Sequence, residues 1–119
     1  MLYSVDFGQC EALAALTRED ISATFVAALE RAGATIVQAL THVFPGAGLT
    51  CVLILRESHA VLHTWPETGT VNIDIFSCSS RLQSPEAIDE LSRFFAARRI
   101  SVQEIQRADG HCPRVPARP

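Results

Sequence analysis

A chain of 119 residues, 48% hydrophobic and 19% charged, has the size and composition of one globular domain with its own core. Its net charge of −3 gives no electrostatic footprint for nucleic acid or an anionic membrane, and its longest largely apolar run, residues 49–55, is far too short to cross a bilayer. All ten basic residues are arginine, so neither the lysine that holds pyridoxal phosphate nor a P-loop lysine is present.

The chain opens Met1-Leu2-Tyr3-Ser4, with no basic region followed by an apolar stretch. That pattern predicts no signal peptide and a cytoplasmic location. Leu2 to Phe7 reads as a short strand. Thr17 is placed to cap a helix whose first turn carries Glu19 and Asp20. Ile21, Phe25, Ala28, Leu29 and Ala32 follow with helical spacing, and Gly33 stands where a glycine closes such a helix. Thr35 to Phe44 is a β-branched strand candidate, and Pro45 to Gly48 a turn. Leu49 to Arg56, His59 to Trp65 and Thr70 to Cys78 follow as strands, the last two joined by a hairpin-type link, Pro66 to Gly69. Ser84-Pro85 predicts a second helix with Ser84 as cap, and Ile88, Leu91, Phe94 and Phe95 as its apolar face. Ile100 to Gln106 completes the strands. The proline-rich tail, residues 108–119, has little to bury and is expected to be loose. The order β-α-β-β-β-β-α-β predicts an α+β two-layer sandwich: a mostly antiparallel sheet with two helices on one face.

Reactive side chains crowd residues 56–67. In extended backbone, period two puts His59, Val61, His63 and Trp65 on one face. In the later strand Val71, Ile73 and Ile75 form a core face, opposite Asn72, Asp74, Phe76 and Cys78. Singly, each has an ordinary explanation: a half-exposed strand histidine, a turn serine, a buried thiol. Asp74 in an apolar strand is harder to dismiss, because a buried carboxylate needs partners. Cys10, Cys51, Cys78 and Cys112 form no Cys-x-x-Cys pair, which argues against a zinc site and for free thiols in a reducing compartment. Glu57-Ser58-His59 is not a nucleophile elbow. A zinc site from His59, His63 and Cys78 lacks a fourth ligand. The remaining option is a serine that attacks its own preceding carbonyl.

Glu57-Ser58-His59, then His63-Thr64-Trp65-Pro66-Glu67, then Ile73-Asp74-Ile75-Phe76-Ser77-Cys78, resembles the prokaryotic S-adenosylmethionine decarboxylase proenzymes. Gly33 to Val37 and Asp6-Phe7 with Cys10 resemble the same family. The resemblance implies one decarboxylase domain, residues 1–107, that cuts itself between Glu57 and Ser58 into a beta chain, 1–57, and an alpha chain, 58–119. It implies that Ser58 attacks the Glu57 carbonyl and becomes a covalent pyruvoyl group, with His63 as processing base and Thr50 in support. The pyruvoyl group forms a Schiff base with the substrate amine and replaces pyridoxal phosphate as electron sink. Cys78 is then the proton donor to the decarboxylated carbon. Phe44, Trp65 and Glu67 fall at substrate-binding positions, although packing in the core accounts for Phe44 equally well. An aromatic surface suits an adenine ring and a sulfonium cation. No metal is implied. The resemblance further implies that the product serves spermidine and polyamine synthesis and that the enzyme is a homodimer with both subunits near each site.

Five positions depart from the family pattern: Leu2, Arg56, Asn72, and Ser77 with Ser79 around Cys78. Arginine pairs well with carboxylates. Arg56 and Asn72 therefore leave open a substrate such as ornithine or arginine, and a non-cleaving binding relative is a further alternative.

Overall fold

The computed structural model describes residues 1–79 and 81–108. The predicted tail beyond Ala108, and Cys112 with it, lie outside the described residues. The elements run β1 (Leu2–Cys10), a 3₁₀ turn (Leu13–Ala15), α1 (Arg18–Arg31), β2 (Ile36–Val43), β3 (Leu49–Leu55), β4 (Ser58–Trp65), β5 (Thr70–Phe76), α2 (Ser84–Phe94) and β6 (Ala97–Ile105).

The Thr17 cap forms as the sequence predicts. Its Oγ1 accepts from the Asp20 amide at 3.0 Å, and the Asp20 carboxylate accepts from the Thr17 amide at 3.3 Å. At the other end Gly33 takes φ +108°, and the Gly33 and Ala34 amides donate to the Glu30 and Leu29 carbonyls. A Cβ at Gly33 would sit 2.4 Å from the Arg81 carbonyl oxygen, so glycine also lets Arg81 and Leu82 lie against the end of α1.

The start of α2 differs from expectation. Gln83, not Ser84, occupies the cap position, and no side chain caps it. The Gln83 amide donates to the Ala32 carbonyl at 2.7 Å. That bond ties the helix start to the end of α1, and Ser84 is buried in the first turn instead.

The six strands form one sheet in the order β2-β3-β4-β5-β1-β6, and every neighbouring pair is antiparallel. Strands β1 and β6 start or end beyond their predicted limits because Gly8 and Cys10 continue to pair with Arg99 and Ala97. One sheet face carries Val5, Phe7, Cys51, Leu53, Leu62, Ile73 and Ile75, all buried against Phe25, Leu29, Leu91 and Phe95 of the helical layer. The α+β two-layer sandwich is therefore as predicted. Among the described residues no helix lies over the second face. Leu40, Val52 and Val61 lie side by side there in register, with Ile54 and His59 in the next row.

Candidate active site

Two groups of functional side chains sit at opposite ends of β4. The first surrounds the β3–β4 hairpin, where Leu55 pairs with Ser58 and leaves Arg56 and Glu57 as the turn. Glu57 is held at φ +64°, a left-handed conformation that costs a residue with a Cβ about 1–2 kcal/mol. The bond at issue, Glu57–Ser58, follows directly. The Cys78 thiol donates to the Glu57 carbonyl oxygen at 3.4 Å. Strand β5 ends at Phe76, so Cys78 lies beyond it and the strand alternation does not set its direction. Its direction comes from the loop: the Ser77 amide donates to the Met1 carbonyl, and Ser77 Oγ accepts from the Ser79 amide. A polar cavity of about 250 Å³ opens beside Ser58, lined also by Thr35, Arg56, Ser77 and Arg81. Ser77, Ser79 and Arg81 are lining residues that sequence reasoning missed; the polar run around Cys78 was their signal.

The second group lies at the far end of β4, on the open face. Thr50 and His63 are register partners, and Thr50 Oγ1 is 2.5 Å from His63 Nδ1. The His63 ring packs against Trp65 and Phe44, with centroids 4.4 Å and 5.7 Å away. His42, which sequence reasoning missed, packs edge-on against Phe44 at 4.6 Å; its signal was its register with Thr50. Phe44 is 41% exposed and Trp65 44%, so neither is core packing. Both line a cavity of about 410 Å³ with Gly46, Gly48, His63 and Glu67.

The alternation predicted for β4 holds: Ala60, Leu62 and Thr64 are buried, and His59, Val61, His63 and Trp65 face away from the helices. This has a cost for the expected arrangement. Ser58 and His63 are five residues apart on one strand, about 16 Å at the usual rise. The chain brings Glu57, Ser58 and Cys78 together, and Thr50, Phe44, His63, Trp65 and Glu67 together, but it does not bring His63 to its own Ser58. Asp74, expected to be buried, is exposed on the open face, so its charge needs no buried partner.

Cys10, Cys51 and Cys78 are free thiols, the first two buried and the third exposed. Burial pushes the Cys10 thiol up to about 11, which leaves it inert near neutral pH. Among the described residues no three His, Cys, Asp or Glu side chains gather as a metal site.

Residues 1–108 match the family model described as S-adenosylmethionine decarboxylase. The chain belongs to the S-adenosylmethionine decarboxylase family. It is 35% identical over 98 residues to an S-adenosylmethionine decarboxylase proenzyme of Methanococcus maripaludis, covering 82% of this chain and 80% of that one. It is 32% identical over 112 residues to the proenzyme of Acidithiobacillus ferrooxidans, covering 94% and 84%. The crystal structure of the adenosylmethionine decarboxylase from Aquifex aeolicus superimposes with a TM-score of 0.73 at 26% identity, covering 86% of this chain and 84% of that one. Membership makes this chain a decarboxylase of the proenzyme type, and the Glu57 to Cys78 block that carries the family resemblance supplies residues to both groups.

Proposed function

We propose that this S-adenosylmethionine decarboxylase cuts itself at Glu57–Ser58 and acts as a homodimer whose active sites each combine the first group of one subunit with the second group of the other. The observation that carries the proposal is the Cys78 thiol on the Glu57 carbonyl, beside the Ser58 hydroxyl and a backbone held at positive φ.

Self-cleavage uses the chain's own atoms. Ser58 Oγ bonds to the Glu57 carbonyl carbon, the carbonyl oxygen becomes an oxyanion, and the Cys78 thiol is already placed to donate to it. Collapse breaks the Glu57–Ser58 amide and leaves an ester with a free amine on Ser58. A base removes the Ser58 Cα proton, the Cβ–Oγ bond breaks, and the beta chain departs with a C-terminal carboxylate at Glu57. Hydrolysis of the dehydroalanine left behind releases ammonia. The pyruvoyl group so formed would supply the electron sink for loss of carbon dioxide, which a chain without lysine cannot obtain from pyridoxal phosphate. Cys78 stays beside the reacting position as proton donor.

The base is His63 of the partner subunit. In the tautomer whose Nδ1–H donates to Thr50 Oγ1, the His63 Nε2 lone pair is free to accept a proton. The open sheet face is where subunits would meet: Leu40 and Ile54 are 64% and 43% exposed, beside the half-buried Val52 and Val61. A two-fold axis across the strands near Val61 lays the His63 end of one β4 over the Ser58 end of the other. Phe44, Trp65 and Glu67 arrive with His63 and form the wall for the adenine ring and sulfonium. The reducing cytoplasm, where the thiols stay free, is the compartment this chemistry suits; among the described residues no helix is long and apolar enough to cross a membrane.

Arg56 lines the Ser58 cavity and favours a second reading, in which a simpler amine carboxylate such as ornithine or arginine is the substrate. Carbon dioxide release across a panel of S-adenosylmethionine, ornithine and arginine decides between them. The proposal expects S-adenosylmethionine to be preferred; preference for either amino acid would contradict it.

A further inference from the structure

Asn72 departs from the family pattern, and the chemistry proposed above makes no use of it. It stands on the open face of β5 between two register partners, His63 on β4 and Asp6 on β1. Its amide is engaged at both ends. The Trp65 indole Nε1–H donates to Asn72 Oδ1 at 2.6 Å, and Asn72 Nδ2 donates to Asp6 Oδ1 at 2.6 Å. The direction of this relay is not arbitrary. An indole N–H can only donate and a carboxylate can only accept, so a single orientation of the amide satisfies both. The charge on Asp6 polarises the amide and strengthens its hold on the indole.

We infer that Asn72, anchored by Asp6, is a positioning residue that fixes the plane of Trp65 and, through it, the aromatic wall beside His63. Trp65 is 44% exposed at the end of its strand, where an unanchored indole would exchange among rotamers. With its N–H held from β5 and its ring against His63 at 4.4 Å, the indole has one orientation. The wall is then formed before substrate arrives, and binding does not have to order it. The same bonds occupy Asn72, so it contributes to substrate choice through Trp65 rather than by meeting a substrate carboxylate.

This inference rests on the reading of the Phe44–His63–Trp65 cavity as the substrate-binding half of the site, and the test separates the two. Trp65 is the single tryptophan, so one indole N–H resonance reports the relay in ¹⁵N-labelled protein. Asn72→Ala and Asp6→Ala should each shift that resonance upfield and speed its exchange with solvent. In steady-state assays Asn72→Ala should raise KM for S-adenosylmethionine about fivefold, the loss of one hydrogen bond, with kcat within about twofold. In a Trp65→Phe background, which keeps an aromatic ring but removes the N–H, Asn72→Ala should add nothing further. An indole resonance unmoved by Asn72→Ala overturns the relay, and one moved by Asn72→Ala but not by Asp6→Ala overturns the role of Asp6. A KM effect that persists with Trp65→Phe shows Asn72 acting on substrate directly and overturns the positioning role. If the resonance moves as expected but wild-type protein does not turn over S-adenosylmethionine, the relay stands and the proposed function fails.

Discussion

His63→Ala and Ser58→Ala should each leave the chain whole, yet together they should restore cutting. The reason is geometric. Ser58 and His63 lie about 16 Å apart along β4, so His63 cannot reach the hydroxyl of its own chain. Across a two-fold interface the two ends meet. When the variants are co-expressed in equal amounts, random pairing makes about half of the dimers mixed. In each mixed dimer the His63→Ala chain carries an intact Ser58 opposite an intact His63. About half of the His63→Ala chains should therefore be cut, and none of the Ser58→Ala chains. Mass spectrometry with one variant isotopically labelled measures both fractions. Uncut His63→Ala chains in a mixture shown to contain mixed dimers would refute the reasoning, as would cutting of the isolated His63→Ala chain at the wild-type rate.

The Cys78 thiol has separate uses before and after cleavage, and two variants distinguish them. Cys78→Ala should slow self-cleavage about five- to tenfold through loss of the donor to the Glu57 carbonyl, whereas Cys78→Ser should cleave faster than Cys78→Ala, as followed by gel densitometry. Gly33→Ala forces a Cβ against the Arg81 carbonyl at a φ of +108° and should cost about 2–4 kcal/mol in urea denaturation of the uncut Ser58→Ala protein; a loss under about 1 kcal/mol would contradict the close approach. The hydrogen bond from Arg31 holds the Glu90 carboxyl below its ordinary range, so the α1–α2 ion pair adds stability above that range and loses it as pH falls through the lowered folded value. Glu90→Gln should flatten the acid limb of a stability–pH curve and lower neutral stability by the same small amount, since the Arg31 side chain is largely exposed.

Much of the fold was legible because local and global signals agreed. Thr17 and Asp20 cap α1, Gly33 closes it, and the alternation in β4 and β5 separates the core face from the open one. The start of α2 was misplaced by one residue because the deciding bond, Gln83 to Ala32, joins two helix ends far apart in sequence. The site residues were legible from their motif, but their grouping was not. Five residues in a strand look close in a sequence and span most of a strand in space. Likewise the Asp6–Asn72–Trp65 relay depends on strand order β4-β5-β1, which places residues 6 and 72 side by side and which no local pattern encodes.

Intact mass of freshly purified wild-type protein tests the central claim most directly. The account predicts two chains, residues 1–57 and 58–119, the second lighter than a serine-initiated chain by the mass of one ammonia, while Ser58→Ala stays a single chain. A wild-type chain that remains whole after prolonged incubation, or a residue 58–119 fragment that still carries an N-terminal serine, would contradict it.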